Sequence, residues 1–362
     1  MPSSNISAHT QYVIEAQMQP HESVRLRLEE GEMASLAPWA QRSVESRGRS
    51  RPEEPSPVRT EFQRDRDRVI HSNAFRRLKH KTQVFIAPTG EHYATRLTHA
   101  LEVAQVGRTV ARALKLNEDL VEAIALAHDL GHAPFGHAGQ SALDQVHPGG
   151  FRHNEQSLRV VEVLEKEGVG LNLTWEVREG IRTHRKPRSS IAGVAVEPSS
   201  TLEAEVVKLA DGIAYINHDI DDAVRAGVID IDDLPDRSLH LLGRSRSDRI
   251  DRLVRDIIDT SADRPVVEMS PDVLDATDLL RSFLFENVYL SPAVKSEWSR
   301  AHHVVLQLYG HFCDVPDELP PAFRPAAADS LHQSVCDYIA GMTDQFALHT
   351  FQAVFVPKMW SL

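Results

Sequence analysis

The stretch 202–226 constrains this chain most, because its apolar residues recur at helical spacing on every side. Valine, leucine, isoleucine and alanine surround Asp211 in the middle of this stretch. A helix that is apolar all round belongs in the interior of a protein. A carboxylate in that position must be paired with a cation or hydrogen-bonded. We therefore predict a long central helix that carries a buried, functional acid.

The same helical periodicity continues through most of the chain, whereas alternating strand patterns are nearly absent. Two short apolar runs, near 84–87 and 354–357, are the candidates for strands. Asn117 is the expected N-cap of a helix predicted at 117–129, and a loop rich in glycine and proline follows this helix. The sequence predicts an all-α fold, with further helices at 98–116, 117–129, 154–166, 175–184, 250–260, 272–290, 296–312 and 331–349.

We divide the chain into three parts. Residues 1–57 are predicted to be a weakly structured lead-in, with a short amphipathic helix around 21–40 and a polar, proline-rich loop after it. Residues 58–235 form the predicted core, and residues 236–362 form a helical C-terminal extension packed on that core. A chain of 362 residues with 41% apolar content can bury a core of substantial size.

Composition limits the environment and the partners. No apolar run approaches the roughly 20 residues that span a bilayer, the N-terminus lacks the pattern of a secretion signal, and Cys313 and Cys336 stand alone. We expect a cytoplasmic protein without membrane contact. The net charge of −12 argues against general nucleic-acid binding. Residues 41–100 nevertheless have a surplus of +6, which fits either an anionic ligand or a solvated helix face.

A histidine–aspartate pair at the end of an apolar helix is the first candidate for chemistry. His128 and Asp129 offer an imidazole and a carboxylate, which suit a divalent ion such as Mn, Fe, Co, Ni, Zn or Mg. Neighbouring side chains on a helix diverge by about 100°, so other helices must close the coordination sphere. His99 on the preceding helix and Asp211 on the central helix are the natural candidates.

Three further histidines follow this pair. His132 and His137 lie in the loop GHAPFGH, and His153 lies at the start of the next helix. Histidine titrates near neutrality, so it can hold phosphate as a cation or donate a proton to a leaving oxygen. One of the three is expected only to hydrogen-bond the loop. The cluster indicates phosphate chemistry beside the predicted ion.

Several long motifs, taken in order, resemble the HD-domain deoxynucleoside triphosphate triphosphohydrolases, and most closely the bacterial dGTPase-like proteins. The resemblance covers roughly residues 35–230, and two segments near the C-terminus, DYIAGMTDQFAL and FVPKMW, also fit it. It implies an HD-domain helical bundle. The motifs that carry it are RTEFQRDRDRVIHSNAFRRLKHKTQVF, RLTH, HDLGHAPFGHAG, FRHNEQS and KLADGIAYINHDIDD.

The resemblance implies a role for each matching residue. His99, His128, Asp129 and Asp211 match the four metal ligands, and Arg96 matches an arginine that holds phosphate. The histidines around the α-phosphate correspond to His132, His137 and His153, with His137 as the catalytic one, and the sugar contacts correspond to Gln83, Tyr215 and Asp219. Spacing supports two of these, because Tyr215 and Asp219 follow Asp211 by one and two helical turns.

One position departs from the family pattern. Three residues after His137 the family usually has an acid that supports the catalytic histidine, and this chain has Gln140. An amide can hydrogen-bond an imidazole, but it cannot stabilise an imidazolium as an anion does. Three consequences are open: another acid such as Glu155 substitutes, turnover is slow, or the role has drifted. If no acid substitutes, Gln140→Glu should speed hydrolysis.

The expected reaction is metal-dependent hydrolysis of a deoxynucleoside triphosphate to a deoxynucleoside and tripolyphosphate, with one divalent ion per site (Mg, Mn, Fe, Co or Ni). Two alternatives remain: an HD phosphohydrolase of another nucleotide phosphoester, and a single-stranded nucleic-acid binder with a weakly active core. Few aromatic residues lie in the basic 41–100 stretch, so base stacking there is poorly supported. The resemblance also implies a homo-oligomer and leaves open regulation by single-stranded DNA or by a nucleotide.

Overall fold

The computed structural model describes residues 22–86, 93–184, 190–191, 199–325 and 330–358. These residues form helices joined by short loops, with two isolated β-bridges and no strand among them. The predicted all-α fold is therefore confirmed. The helices are α1 Glu22–Ser35, α2 Glu61–Ile70, α3 Asn73–Arg77, α4 Arg96–Ala113, α5 Glu118–Ala127, α6 His137–Val146, α7 His153–Arg159, α8 Trp175–Arg182, α9 Leu202–Arg225, α10 Asp236–Leu242, α11 Arg246–Ser261, α12 Pro271–Leu284, α13 Pro292–Asp314, α14 Leu331–Ala340 and α15 Asp344–Phe355.

The predicted central helix is α9. It begins at an N-cap, Thr201, whose side chain accepts a hydrogen bond from the Ala204 amide, and most of its residues are buried. It packs against α4 and α5. A side chain at Gly107 of α4 would place its Cβ 2.8 Å from Val121 of α5, so this glycine permits the close approach of the two helices. The interior position follows from the apolar pattern.

Helix α5 delivers the histidine–aspartate pair. Asn117 caps it as predicted, with its side chain accepting from the Leu120 amide, and burial of its apolar residues anchors it between α4 and α9. Its last helical residue is Ala127, and His128 is the C-cap. The chain then turns through residues 129–136 before α6 begins. The pair thus sits where a rigid helix passes into a tight loop.

The C-terminal extension packs on the core through two apolar clusters. Helices α10 to α12 contribute to the cluster that surrounds α9, for example through Leu253 and Leu280. Helices α13 to α15 form a second cluster with Phe135 and with Leu143 of α6. Because Phe135 belongs to the loop after the histidine–aspartate pair, the extension is in direct contact with that loop.

The described part of the lead-in is more ordered than its composition indicates. Helix α1 lies within the region 21–40. Beyond it, Arg49 forms an ion pair with the fully buried Asp65 of α2 and donates to the Asn172 carbonyl at 2.7 Å. Buried pairs of this kind cannot be recognised from a polar composition. Residues 1–21 lie outside the described residues.

Other differences from the sequence prediction are local. Residues 84–86 are bends and Val354 lies in α15, so both strand predictions were wrong for the described residues; short apolar runs do not distinguish strand from helix. The predicted helix 331–349 is split, because the chain turns after Ala340 and Thr343 caps a new helix by accepting from the Phe346 amide. Helix α12 ends at Leu284 and continues as a wider turn through Phe285–Tyr289.

None of the helices within the described ranges combines the length and the apolar character that are needed to span a membrane.

Candidate metal centre and phosphate site

The four predicted metal ligands come from three elements and meet in the interior. His99 lies in the first turn of α4, His128 and Asp129 follow α5, and Asp211 lies in the middle of α9. All four side chains are buried. His99 Nε2 lies 3.1 Å from an oxygen of Asp211 and 4.0 Å from an oxygen of Asp129, and His128 Nε2 lies 3.3 Å from the other Asp129 oxygen. The structure therefore places donor atoms of His99, His128 and Asp211 within 4.8 Å of one another. Asp129 borders this group through His99 and His128, and it also groups with His132 and His153.

The orientation of His128 fits a metal ligand. Its Nδ1 atom lies 2.6 Å from the Ala125 carbonyl oxygen, so Nδ1 carries the proton and donates it there. Its Nε2 atom then presents a lone pair towards the other donors, and it is buried without a hydrogen-bond partner among the described residues. Metal-bound histidines typically donate their second nitrogen to a carbonyl in this way. Two imidazoles and two carboxylates suit one divalent ion.

The charged and polar groups around the centre favour the ionised form of Asp129. Burial by itself raises the pKa of this carboxyl, but His128, His132 and Arg96 together lower the pKa well below its ordinary value. Burial also lowers the pKa of His99, although Asp211 opposes this. A neutral imidazole beside an ionised carboxylate is the protonation state that a metal ion requires.

Two histidines in this centre were missed by the sequence analysis. His184 Nε2 lies 2.8 Å from an oxygen of Asp211, and its ring packs 4.6 Å from that of His128. His218 Nε2 lies 3.1 Å from Nδ1 of His99. The spacing could have indicated His218, which follows Asp211 by about two turns on α9. Nothing in the spacing indicates His184, which lies just after α8.

Arg96, His132 and His153 form a second group next to Asp129. Arg96 donates from Nη1 to Asp129 at 2.8 Å, and its buried Nε has no partner among the described residues. His132 Nε2 lies 3.2 Å from Asp129, and the His132 and His153 rings stack at 4.1 Å. This places a guanidinium and two imidazoles beside the metal candidates, an arrangement that suits a phosphate.

The two stacked histidines are neutral in this arrangement. Burial lowers the pKa of His153 to about 3, and burial followed by the nearby Arg96 lowers the pKa of His132 well below its ordinary value. Neutral His132 can therefore donate one hydrogen bond to a phosphate oxygen, whereas the single proton of neutral His153 is on Nδ1, which donates to Gln140 Oε1. The fixed positive charge comes from Arg96. Cationic histidines, one of the two roles predicted from the sequence, do not fit this burial.

His137 and Gln140 lie on the first turn of α6. His137 is exposed, unlike the other site histidines. Gln140 directs its Oε1 to within 2.8 Å of Nδ1 of His153. The suggested substitute acid, Glu155, is exposed and accepts from Arg152 at 2.8 Å, so this side chain is committed to a surface pair. The structure gives Gln140 a partner that the motif comparison did not indicate.

The residues assigned to the sugar lie on and beside α9. Tyr215 and Asp219 are one and two turns beyond Asp211, and Tyr289 contacts both of them. Tyr289 donates from its hydroxyl to Asp219, and its ring centre lies 6.1 Å from that of Tyr215. Gln83 is buried, and its amide nitrogen has no partner among the described residues. Tyr289 comes from the extension and was not predicted, because no spacing links it to α9.

Several arginines of the basic stretch 41–100 form ion pairs within the chain. Arg64 pairs with Glu61 and Glu53, whereas Arg66 pairs with Asp119 at 2.9 Å. Arg68 pairs with Glu53. These arginines are therefore engaged within the chain, and the pair of Arg66 with Asp119 also lowers the surplus of the stretch.

Comparison with known proteins agrees with the geometry. Residues 96–216 match the HD domain and residues 267–353 match the phosphohydrolase-associated domain. A deoxyguanosinetriphosphate triphosphohydrolase-like protein of Caldanaerobacter subterraneus subsp. tengcongensis is 55% identical over 93% of this chain and 97% of its own. Proteins of the same description from Desulfatibacillum aliphaticivorans and Clostridium perfringens are 46% and 47% identical, each over 92% of this chain and 99% and 98% of their own.

These matches settle the kind of protein, and they agree with the buried donor set. An HD domain binds a divalent metal ion through histidines and aspartates, and groups of these residues are present here. The chain belongs to the HD-domain family of deoxyguanosinetriphosphate triphosphohydrolase-like proteins and is a phosphohydrolase.

Proposed function

We propose that the protein hydrolyses deoxynucleoside triphosphates, dGTP among them, to a deoxynucleoside and tripolyphosphate. The observation that carries the proposal is that the metal-ligand candidates contact the candidate phosphate-binding residues. Asp129 touches His128 on one side and Arg96 and His132 on the other. A substrate phosphate at Arg96 would thus lie next to the ion. The printed descriptions of the relatives name the same substrate class.

Four residues hold the ion in this proposal: His99, His128, Asp129 and Asp211. When bound, a divalent ion supplies a Lewis acid for the α-phosphate. The ligand types fit Mg, Mn, Fe, Co or Ni.

Residues of the chain perform the remaining tasks. Arg96 holds the phosphate charge with its planar guanidinium, and His132 donates a hydrogen bond to a phosphate oxygen. His153 stacks on the His132 ring and supports its orientation. Water attacks the α-phosphorus, the bond from that phosphorus to the 5′-oxygen breaks, and His137 donates a proton to the departing oxygen. His137 suits this role because it is exposed at the start of α6, beside the loop of His132. A lysine or arginine of 64–81 other than the ion-paired Arg64, Arg66 and Arg68 adds charge for the distal phosphates.

The sugar is recognised by residues of the central helix and its neighbours. Gln83 and Asp219 hydrogen-bond the 3′-hydroxyl. The buried amide nitrogen of Gln83 has no other partner among the described residues, and Asp219 is held by His218 at 2.9 Å and by Tyr289. The Tyr215 ring occupies the space that a 2′-hydroxyl would need. Tyr289 holds Asp219 in place through its hydroxyl. Discrimination against ribonucleotides follows from this packing.

The two alternatives have less support. An activity on another nucleotide phosphoester is not what the printed descriptions of the relatives name. A role confined to single-stranded nucleic-acid binding is disfavoured by the internal ion pairs of Arg64, Arg66 and Arg68. Homo-oligomer formation, a cytoplasmic location and regulation by single-stranded DNA or a nucleotide stay predictions of the sequence.

Product analysis tests the proposal. The purified protein is incubated with each dNTP and each NTP in the presence of Mg, Mn, Fe, Co or Ni, and tripolyphosphate, pyrophosphate and phosphate are separated. Tripolyphosphate from dNTPs is the expected product. Pyrophosphate or phosphate as the only inorganic product supports another phosphoester activity. Binding of single-stranded DNA that weakens with salt, without any turnover, supports the binding role.

A further inference from the structure

A carboxylate of the C-terminal extension reaches into the HD core. Asp344 is the first residue of α15 and is buried. One of its oxygens accepts from the amide of Thr82 at 3.0 Å and from the Thr82 hydroxyl at 2.6 Å. The other oxygen accepts from the amide of Phe135 at 2.8 Å. One side chain of the extension thus ties together two segments of the core that are distant in sequence.

Lys81 makes the complementary connection. Its ammonium group is buried and donates to the carbonyl of His132 and, at 2.7 Å, to the carbonyl of Ala340. The carbonyl of Lys81 itself accepts from the amide of Arg96 at 3.0 Å. The segment of Lys81 and Thr82 therefore lies between the extension, the loop of His132 and the start of α4. It thus contacts two of the candidate phosphate-binding residues, His132 and Arg96.

The loop held by these contacts has an unfavourable backbone. Phe135 has φ of +60° and Gly136 has φ of +56°, a region that a residue with a side chain such as phenylalanine rarely adopts. A Cβ on Gly136 would lie 2.8 Å from the carbonyl oxygen of Gln83 and 3.2 Å from Arg96 Nη2. Such a conformation persists when its surroundings hold it. The hydrogen bond from the Phe135 amide to Asp344 is made at this strained residue.

We propose that Asp344, together with Lys81, is a positioning residue that fixes the loop of residues 132–136 and thereby sets His132 and Arg96 against Asp129. The inference rests on the proposed function, since it assigns the extension a part in that site. Asp344 touches neither substrate nor ion in this account; it acts through Phe135 and Thr82. Burial lowers the pKa of Lys81 to about 7, and the carboxylate of Asp344 opposes this shift.

The test uses isosteric variants and a matched control. Asp344→Asn keeps the shape but removes one acceptor and the charge, so either Thr82 or Phe135 loses its partner. Thr82→Val removes only the hydrogen bond from the Thr82 hydroxyl to Asp344, so it still tests the contact if Asp344→Asn does not fold. Asp337→Asn is the control: Asp337 is buried in the same extension and binds Arg159 at 2.6 Å and Gln156 at 2.9 Å in the core, but not the loop.

Two readouts are measured on the full chain. Hydrogen exchange of peptides covering 130–138 reports the loop without any substrate, so it remains informative if the proposed reaction is wrong. Steady-state kinetics with dGTP and Mn report kcat and KM. We expect faster exchange of this loop in Asp344→Asn and, to a smaller extent, in Thr82→Val. We expect kcat to fall about 10- to 100-fold in Asp344→Asn, as for a misplaced catalytic group.

The control variant distinguishes a positioning role of Asp344 from a general loss of stability on removal of a buried carboxylate. Asp337→Asn should lower the melting temperature while loop exchange and kcat remain near those of the wild type. The inference is overturned if Asp344→Asn leaves exchange of 130–138 unchanged, or if both aspartate variants lower kcat equally. If the wild type releases no tripolyphosphate but the loop of Asp344→Asn exchanges faster, the proposed function fails and the structural link stands.

Discussion

Gln140 Oε1 lies 2.8 Å from Nδ1 of His153. The amide oxygen can only accept, so the proton is on Nδ1 and the Nε2 atom of His153 carries a lone pair. This contact fixes the tautomer and the orientation of the ring that stacks on His132. Gln140, which replaces the family's usual acid, therefore contributes to the site through His153.

Removal of this acceptor tests the contact. Gln140→Leu keeps a similar volume but leaves Nδ1 of His153 without its partner, and we expect kcat/KM for dGTP to fall about tenfold, in line with the loss of about one hydrogen bond. Gln140→Glu keeps an acceptor and should be at least as active as the wild type. Rates at saturating and limiting dGTP measure both effects. A fully active Gln140→Leu would show that this contact is unimportant.

The metal centre is tested by its own ligands. Asp211→Ala, or His128→Ala combined with Asp129→Ala, should abolish metal retention and turnover, because each change removes donors that no neighbour replaces. Metal content of the purified variants is measured by mass spectrometry, alongside the rate. Asp222→Asn is a matched control, since Asp222 is a buried aspartate on the same helix that instead binds the Ala94 amide at 3.0 Å. Normal metal content in Asp211→Ala would refute the assignment.

Selectivity for the sugar is tested at Tyr215. We expect kcat/KM for dGTP to exceed that for GTP by at least about tenfold, and Tyr215→Ala to reduce this ratio by opening space for a 2′-hydroxyl. Tyr289→Phe removes the hydroxyl bond to Asp219 while the ring remains. It should weaken dGTP binding without admitting GTP. Equal kcat/KM values for GTP and dGTP in the wild type would show that the sugar site is misassigned.

A buried acid far from the metal candidates predicts a pH-dependent stability. Glu203 is fully buried on α9, and one of its oxygens accepts from the amides of Gln41 at 2.9 Å and Asn117 at 3.0 Å. Burial raises the pKa of Glu203 from its ordinary 4.5 to about 7, although these amides oppose the shift and Glu32 adds to it. The folded protein therefore binds more protons than the unfolded chain between these two values.

The contribution of Glu203 to the free energy of unfolding is thus fully present below about pH 4.5, and it is lost as the pH rises to about 7. The total loss is on the order of 3 kcal/mol, from about 1.4 kcal/mol per pKa unit. Glu203→Gln retains an acceptor for both amides and should make the free energy of unfolding less dependent on pH in this range. Urea titrations at several pH values from 5 to 8 measure it. Parallel curves for the two proteins would contradict the raised pKa.

The sequence contained the helices and most of the site because those signals are local. Asp211 stands out since apolar residues surround it in the chain, and Tyr215 and Asp219 follow from helical spacing on the same element. His128 is recognisable as a polar residue at the end of an apolar helix. Each of these inferences needs only residues within a few turns of each other.

Other site residues depend on tertiary packing. Tyr289 reaches Asp219 and Asp344 reaches Phe135 only after the C-terminal extension has folded against the core. His184 lies beside Asp211 because α8 packs near α5 and α7. Long-range contacts of this kind have no periodic signal. The same reason explains the ion pair of Arg49 with Asp65 in a segment that composition alone indicates to be loose.

The central claim is that water attacks the α-phosphorus of a deoxynucleoside triphosphate and that the 5′-oxygen leaves with the nucleoside. Hydrolysis of dGTP in ¹⁸O-labelled water, with mass analysis of the products, tests this directly. The account predicts unlabelled deoxyguanosine and tripolyphosphate that carries one ¹⁸O atom. Labelled deoxyguanosine, or dGMP with pyrophosphate in place of tripolyphosphate, would contradict it.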